Sequence, residues 1–401
     1  MSKKQLQHLG FVSNGIFLVQ RDGEYFGPAF YLRLHEGLMR MFPEVTFYCF
    51  LVDDTDQERA RDCTRKYDLP HLKICPLPLK GSKLGDSLGQ LRTYWQTLTK
   101  PDVICIDMPN QIGFFAALVC RLRGQKYFVR VLGNWGYNLR LNQSANLLVR
   151  FKAALANWME RTVVAGADLA LFQGQELLAK HAAQINGITK SDKVHSTLTT
   201  EMFFARQEKA FHTPLRIITV ARLEPLKGLD VLLQALRILA VQGLEIEWWC
   251  VGDGPARASL EQLAQASGLA HNSKFLGYVP NGPELYRLYR EADIFVLPSL
   301  TEGIAQALLE ALAHSLPTVA SAVGGIPGVI TNNVHGLLVA PGDAQALAAG
   351  ILKLATNPAL ATQLQQAGFA RAQNFRADVL RQAFREMIET TFGRIGAITN
   401  P

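Results

Sequence analysis

Two glutamates, Glu302 and Glu310, have seven residues between them and follow an apolar run at 294–297. The run predicts a buried strand, and the pattern after it predicts a helix that opens near Gly303. A helix start presents free N–H groups and a positive dipole end, which bind an anion without a metal. Glu302, in the loop, suits sugar hydroxyls, and Glu310 suits the paired hydroxyls of a ribose. In the alternative, Glu302 complements the helix dipole and Glu310 faces solvent, although its apolar neighbours favour a partly buried carboxylate that needs a partner.

Two cations, Arg222 and Lys227, leave the end of an earlier predicted strand and precede another helix. A guanidinium offers a fork of donors and an ammonium a point charge, and together they can hold a diphosphate. Two solvated loop cations are the alternative interpretation.

Two glycine-containing loops follow further strands, at 252–255 (Gly-Asp-Gly-Pro) and 323–327 (Val-Gly-Gly-Ile-Pro). Glycine allows a tight turn and close approach of backbone to a ligand. Either loop alone is a weak signal. Four such loops after four strands favour one ligand site, because open α/β sheets bind ligands at the carboxyl ends of their strands.

The elements that carry these loops alternate short apolar runs with longer helical patterns, which is typical of βαβ units and parallel sheets. Predicted strands of the first half are Phe11–Val19, Val45–Val52, Val103–Ile106, Tyr127–Val131 and Leu169–Phe172. Its predicted helices include Ala29–Met41, Ile112–Leu122 and Leu147–Val164. Predicted strands of the second half are Leu215–Val220, Ile246–Val251, Lys274–Leu276, Ile294–Leu297, Pro317–Ala320 and Gly336–Val339. We expect an α/β protein of two Rossmann-like, doubly wound domains that face each other across a cleft, with the boundary in the polar stretch 205–213.

Composition narrows the function classes. Residues 1–200 hold 25 lysines and arginines against 17 aspartates and glutamates, a net charge of +8, whereas the rest of the chain has 16 against 17. The first half therefore favours an anionic partner, such as a phosphate-bearing acceptor or a lipid surface, and an unspecific basic surface is the alternative.

No nucleic-acid motif is present. The run 9–19 is interpreted as a strand rather than a signal peptide, because polar residues interrupt it and no cleavage site follows. Six cysteines without CxxC pairs or metal-like spacing favour a reducing cytoplasm.

From about Ile217 to Asp343 the sequence resembles the nucleotide-binding domain of the GT-B glycosyltransferases, specifically the large retaining family four. The two spaced glutamates are the most specific mark of this resemblance. The Gly-x-Gly-Pro turn at 252–255, the Leu-Gly-Tyr-Val segment at 276–279 and the Pro-Gly-Asp at 341–343 also match. The wider pattern covers nearly the whole chain. The resemblance implies a first domain of 1–205, joined by a C-terminal helix at 380–401, and a nucleotide-sugar-binding domain of 206–379.

The resemblance also implies roles for individual residues. Those next to the reacting bond are Glu302 on the transferred sugar and Arg222 and Lys227 on the diphosphate. Those that bind the rest of the donor are Gly27 in an N-terminal loop that closes over the phosphates, Gly252 in its turn, Tyr278 and Val279 at the nucleobase, the backbone of Gly303, Ile304 and Ala305 at the phosphates, and Glu310 at the ribose.

The implied reaction is transfer of a sugar from a UDP or GDP type of donor to a glycan or lipid-linked acceptor, with retention of configuration. No cofactor and no metal is implied. Preplaced cations and a helix start stabilise the negative charge that develops on the leaving diphosphate. The expected location is cytoplasmic, with peripheral attachment to the inner membrane face as an alternative.

The sequence departs from the family pattern at two places. Leu132 stands where relatives often carry a histidine, and Asn134 can supply a hydrogen bond there instead. Gly328 stands where relatives often have a glutamate. These differences leave open a donor-binding partner subunit without turnover. A nucleotide-sugar 2-epimerase, which shares the architecture, is a further alternative, whereas an NAD enzyme is disfavoured because no GxGxxG follows the first strand.

Two other segments have functional and ordinary interpretations. Asp54-Thr55-Asp56 imitates a metal-binding DxD, but a solvated acidic turn is the preferred interpretation, and no metal site is predicted. The segment 134–164 mixes aromatic and basic residues and can form a helix that lies on an anionic membrane. An ordinary domain helix with a solvated basic face is the preferred interpretation.

Overall fold

The computed structural model describes residues 5–53, 56, 60, 63–69, 71–77, 86–133, 135–136, 147–185, 189–191, 196, 198–206, 210–303 and 305–397. The chain forms two compact units. Unit 1 comprises residues 1–195 and 380–401, and unit 2 comprises residues 196–379.

Unit 1 is built on a nine-stranded sheet. Its strands are β2 (His8–Arg21), β3 (Glu24–Pro28), β4 (Glu44–Val52), β5 (Cys63–Lys66), β6 (Leu72–Leu77), β7 (Val103–Met108), β8 (Tyr127–Val131), β9 (Leu169–Phe172) and β10 (Thr189–Ser191). The parallel strands lie in the order β6-β4-β2-β7-β8-β9-β10, and β3 and β5 add antiparallel at the end of β2. A separate two-stranded parallel pair joins β1 (Gln5–Leu6) to β17 (Arg394–Ile395). The central strands β7 and β8 are buried throughout, as expected of a parallel sheet covered on both faces.

Helices cover both faces of the unit 1 sheet. They are α1 (Ala29–Met39), α2 (Asp86–Thr97), α3 (Gln111–Arg123), α4 (Leu147–Ala165), the short α5 (Gln175–Lys180) and, from Leu380 onward, α13 (Ala377–Thr391). Side chains of α1 and α13 share one core cluster with β2, β4 and β7. Those of α2, α3 and α4 share the cluster on the other face. Asn110 caps α3 by accepting a hydrogen bond from the Gly113 N–H at 2.6 Å.

An antiparallel hairpin lies ahead of the first helix, where the sequence predicts a loop around Gly27. Asp22 and Gly23, both at positive φ, form the turn between β2 and β3. Asp-Gly is a typical residue pair for such a turn. Gly27 is therefore a buried residue of β3, paired with Arg65 of β5, and the expectation of a loop at this position is wrong.

Unit 2 contains a six-stranded, fully parallel sheet. Its strands are β11 (Leu215–Val220), β12 (Ile246–Val251), β13 (Ser273–Gly277), β14 (Ile294–Leu297), β15 (Thr318–Ser321) and β16 (Leu337–Val339). They lie in the order β13-β12-β11-β14-β15-β16. This is the doubly wound order of the Rossmann fold, and it reverses direction between β11 and β14. The carboxyl ends of these two strands are therefore where a ligand is expected.

The helices of unit 2 alternate with its strands. They are α6 (Leu229–Val241), α7 (Arg257–Ala266), α8 (Pro283–Glu291), α9 (Gln306–Ala313), α10 (Ile326–Val329), α11 (Ala344–Thr356) and α12 (Pro358–Gln373). Alternate side chains of the central strands enter two separate cores, one with α6, α7 and α11 and the other with α8 and α9. The second core contains Glu310 among its leucines, which bears on the site below.

The predicted α/β class is confirmed, and most predicted strands agree with the observed ones within two residues. All six cysteines are free thiols, and five of them are buried. Among the residues that the structure describes, no helix is both long enough and apolar enough to cross a membrane.

Candidate active site

Lys227 and Glu302 form an ion pair at the point where the unit 2 sheet reverses. The Lys227 Nζ atom lies 2.5 Å from Glu302 Oε1, and the two side chains are 22% and 12% exposed. Lys227 ends a short 3₁₀ turn (Pro225–Lys227) after β11, and Glu302 stands in the loop after β14. Ser299 donates its hydroxyl to the same Glu302 oxygen at 3.0 Å. The structure thus brings a cation and a carboxylate together in a place that is partly open to solvent.

Backbone hydrogen bonds join the loop of Glu302 to two neighbouring loops, the one that carries Lys227 and the one after β15. The Leu300 N–H donates to the Leu226 carbonyl at 2.9 Å, and the Gly325 N–H donates to the Gly303 carbonyl at 2.9 Å. Gly324 has φ of +54°, and a Cβ atom there would lie 1.7 Å from the Glu302 carbonyl oxygen. The glycine-rich loop after β15 therefore serves to let the Glu302 loop approach, because only glycine fits this contact.

Glu310 is buried in α9 and has partners for both carboxylate oxygens. Its residue exposure is 6%. Asn281 donates to Oε1 at 2.8 Å, and Tyr289 donates its hydroxyl to Oε2 at 3.0 Å. Burial and the nearby carboxylate raise the pKa of Tyr289 well above its ordinary value, so its hydroxyl stays protonated and donates. Tyr286 supports the arrangement by donating its hydroxyl to Asn281 Oδ1 at 2.8 Å. Donors on both oxygens hold the carboxylate in a fixed orientation.

A buried histidine completes this cluster. His314 Nδ1 lies 2.8 Å from the Glu310 carbonyl oxygen, so this nitrogen carries the proton and donates. Its ring stacks on Tyr289, with centroids 5.2 Å apart. Burial lowers the pKa of His314 to about 4, which keeps the ring neutral at physiological pH.

Arg222 does not join the pair formed by Lys227 and Glu302. Its side chain is 72% exposed, and its Nε atom lies 3.1 Å from Glu224 Oε1. The same loop after β11 therefore presents two cations in different environments. Lys227 is held in place, whereas Arg222 extends into solvent.

Gly252, Tyr278 and Val279 lie close together at the ends of β12 and β13. The Gly252 N–H donates to the Gly277 carbonyl at 2.8 Å. Gly252 has φ of +134°, and a Cβ atom there would lie 1.9 Å from the Ala221 carbonyl oxygen, so its first role is close packing of backbone. Tyr278 is 72% exposed, and Val279 packs against the core of α8 and α9. The exposed ring next to a half-buried valine offers an apolar surface to a planar ligand group.

The helix after Glu302 begins later than the sequence predicts. Helix α9 starts at Gln306 rather than near Gly303, with Ala305 before it in extended conformation. Ala305 is 7% exposed, and its side chain packs into the core. Gly303 is partly exposed, and Ile304 lies outside the described residues. Glu310 is consequently in the second turn of α9, since the early residues of the predicted helix belong to the loop.

In unit 1, Asn134 lies outside the described residues, as do Asp54 and Thr55. Leu132, at the position of the family histidine, packs against the core cluster of α1 and α13. Among the residues described, no group of three His, Cys, Asp or Glu side chains is placed to hold a metal ion.

Sequence reasoning missed Ser299, Asn281, Tyr289 and His314. Asn281 and Tyr289 precede Glu310 by 29 and 21 residues, and nothing in a single sequence links a pair so far apart. The tyrosines of α8 have the spacing of an ordinary amphipathic helix, and this pattern hides their polar role. The one available signal was Glu310 itself, because a carboxylate among leucines requires donors.

The geometry of unit 2 combines a cation, an exposed arginine, two oriented carboxylates and an exposed aromatic ring along the carboxyl edge of one sheet. Residues 201–371 match the family model of the glycosyl transferases group 1. This segment is therefore similar to that family.

Curated glycosyltransferases are similar to about half of this chain. The amylovoran biosynthesis glycosyltransferase AmsK of Erwinia amylovora is 39% identical over 209 residues, which are 50% of this chain and 51% of that protein. The chain spans about half the length of the curated relatives it matches.

Solved structures match almost the whole chain. Sucrose-phosphate synthase of Thermosynechococcus elongatus superposes with a TM-score of 0.71 at 18% identity and covers 96% of this chain and 99% of its own. The Anabaena protein HepE in complex with UDP gives a TM-score of 0.70 at 16% identity, with 96% and 100% covered. The fold is therefore that of the GT-B glycosyltransferases, with two Rossmann-like units.

Proposed function

We propose that this protein is a glycosyltransferase that moves a sugar from a nucleoside-diphosphate donor to an acceptor hydroxyl. The observation that carries the proposal is the ion pair of Lys227 and Glu302, 2.5 Å apart where the sheet of unit 2 reverses. The match of residues 201–371 to the family model of the glycosyl transferases group 1 supports it. The relative from Erwinia, named for amylovoran biosynthesis, supports a role in polysaccharide synthesis.

The donor in this proposal is a UDP or GDP sugar. HepE, solved with UDP and with UDP-glucose, supports a uridine nucleotide as the first to test. On donor binding, Lys227 exchanges part of its interaction with Glu302 for the diphosphate, and Arg222 contributes a second cation. Glu310 accepts hydrogen bonds from the ribose hydroxyls. Tyr278 and Val279 contact the base, and the backbone at 303–305 lies along the phosphates.

The transfer step needs charge stabilisation at two places. The bond between the sugar C1 and the phosphate oxygen breaks, and its electron pair leaves with the nucleoside diphosphate. Lys227 and Arg222 stabilise this negative charge. Released from Lys227, Glu302 accepts hydrogen bonds from the sugar and lies near the cationic character that develops there. The acceptor oxygen bonds to C1 on the face that the diphosphate leaves, and its proton passes to a phosphate oxygen, so configuration is retained.

The proposal assigns the phosphate charge to protein cations and requires neither metal nor cofactor. The acceptor is a glycan or a lipid-linked glycan. A cytoplasmic location is part of the proposal, and it is supported by the six cysteines, none of which forms a disulfide.

Calorimetric titration of the full chain with UDP, GDP and ADP, with and without Mg²⁺, is the first test. We expect one nucleotide to bind without metal, and this binding to weaken in Lys227→Ala. Lys353→Ala, which removes an exposed lysine of α11, is the matched control and should bind like the wild type. Binding to none of the nucleotides, or equal binding by both variants, contradicts the site.

Turnover with the matching sugar nucleotide then separates the alternatives. Release of nucleoside diphosphate that depends on an added acceptor supports glycosyl transfer. Binding without turnover on any acceptor favours a donor-binding subunit. A free sugar epimer formed without acceptor favours the epimerase.

A further inference from the structure

Helix α4 carries an unusual number of exposed apolar side chains. Leu147, Leu148, Phe151, Leu155 and Trp158 are 81%, 60%, 66%, 44% and 56% exposed. Isolated exposed apolar residues are common in soluble proteins, but a contiguous patch of large ones marks an interaction surface. We call these five residues the apolar stripe of α4.

The stripe occupies one side of the helix along most of its length. At about 100° per residue, its members fall within an arc of about 100° and extend over about 17 Å of the helix axis. The opposite side, which includes Ala153, Ala156 and Val163, is buried in unit 1. The helix is therefore fixed by its inner face, and the stripe is available to a partner.

Basic residues flank the stripe on both sides. On the helical wheel Arg150 and Arg161 lie beyond one edge of the arc and Lys152 beyond the other, and all three are exposed. The only acidic residue of α4, Glu160, is buried and pairs with Lys180 at 2.7 Å. Its charge is thereby withdrawn from the surface.

The neighbouring helices also expose apolar and basic side chains. Trp95 of α2 and Leu122 of α3 are 43% and 61% exposed, and Arg92 and Arg121 are exposed on the same two helices. Among the described side chains of α2, α3 and α4, no acidic group is exposed. On these three helices the apolar surface is therefore accompanied by cations, which complements an anionic surface that has an apolar interior.

We infer that this face of unit 1 binds peripherally to an anionic lipid bilayer. The apolar stripe enters the boundary between head groups and acyl chains, and Arg150, Lys152 and Arg161 contact the phosphates at its edges. The one polar side chain within the arc, Thr162, donates its hydroxyl to the Trp158 carbonyl at 2.9 Å. Apart from the indole N–H of Trp158, the side chains of the stripe require no hydrogen bonds from a partner, and a tryptophan with one polar atom suits the boundary between head groups and acyl chains.

Vesicle sedimentation of the full chain tests this inference. The probes are vesicles of phosphatidylcholine alone and vesicles in which part of it is replaced by phosphatidylglycerol, without donor or acceptor. We expect sedimentation with the anionic vesicles only. In the double variant Leu148→Ser with Phe151→Ser, and in Arg150→Glu with Lys152→Glu, the partition coefficient should fall at least about tenfold.

Matched controls come from α6 of unit 2, where Val241 is 82% exposed and Arg237 is exposed. Val241→Ser and Arg237→Glu should sediment like the wild type, and every variant should keep the wild-type circular dichroism spectrum. Equal sedimentation with both kinds of vesicle, none with either, or equal loss in the controls overturns the inference. So does a stripe-dependent dimer that binds no vesicles, because the stripe would then be covered by a second copy.

The inferred membrane binding is independent of the proposed glycosyl transfer. Vesicle binding is measured without nucleotide, whereas the Lys227 variant tests a site in unit 2. Either idea can therefore fail while the other stands.

Discussion

Lys227 Nζ and Glu302 Oε1 lie 2.5 Å apart although 75 residues separate them in the sequence. Each follows the end of one of the two strands between which the sheet order of unit 2 reverses. The sequence marks both residues as candidates for ligand binding, but it assigns them to different ligand groups. The structure shows that they are partners, so an anionic ligand that binds Lys227 competes with Glu302 for the charge of the lysine. This exchange makes the pair a sensitive target for substitution.

Lys227→Ala is expected to weaken nucleoside-diphosphate binding about 10- to 100-fold, because a hydrogen bond to a charged group contributes about 1.5–3 kcal/mol. Calorimetry measures the change. In Glu302→Gln the lysine loses its competitor, and we expect nucleotide affinity to hold or rise while turnover falls. A parallel loss of affinity in both variants contradicts the exchange.

Tyr289→Phe should destabilise the protein by about 1–3 kcal/mol, because the buried carboxylate of Glu310 loses the hydrogen bond from the Tyr289 hydroxyl. It should also raise the Kd of the nucleotide, since the carboxylate is no longer held in one orientation. Tyr286→Phe is the control, because its hydroxyl reaches Asn281 rather than Glu310. Urea unfolding and calorimetry report the two effects. Equal losses in the two variants would argue against a specific role of Tyr289.

Gly324→Ala should perturb the loop that carries Glu302. Gly324 and Gly243 both have positive φ, at +54° and +85°, but a Cβ atom at Gly243 meets nothing within 4 Å. Both alanine variants therefore carry the backbone cost of about 1–2 kcal/mol, and only Gly324→Ala adds a collision with the Glu302 carbonyl. We expect it to lose at least about 1–3 kcal/mol more than the control in thermal unfolding. Equal losses of stability in Gly324→Ala and Gly243→Ala would show that the Glu302 loop can move away from the added Cβ atom without strain.

The neutral state of His314 predicts a pH dependence of stability. Its pKa in the folded protein is about 4, below its ordinary value of 6.5, because the ring is buried. The unfolded chain therefore binds the proton first, and the contribution is present above about pH 6.5 and is lost as the pH falls toward 4. Over this window the loss reaches up to about 3 kcal/mol, at about 1.4 kcal/mol per pH unit.

Urea unfolding between pH 7 and pH 4.5 measures this dependence. His314→Gln should flatten the profile, whereas His271→Gln, at an exposed histidine, should leave it unchanged. If His314→Gln keeps the slope of the wild type, other groups cause the acid sensitivity.

The sequence by itself determined much of the fold. Apolar runs buried throughout predict parallel strands, and their alternation with helical patterns predicts doubly wound units, because both signals are local. The glutamates with seven residues between them and the Gly-x-Gly-Pro turn indicated the family resemblance for the same reason. Burial of Glu310 also followed from its leucine neighbours, and the structure confirms it.

Only the tertiary structure decided which side chains are partners. Lys227 with Glu302, and Glu310 with Asn281 and Tyr289, are contacts between loops and helices that become neighbours when the strands align, and no sequence period encodes them. Gly27 is a buried strand residue because a hairpin forms ahead of α1. The stripe of α4 is equally non-local, since both sides of that helix are apolar and packing alone determines which of them the protein covers.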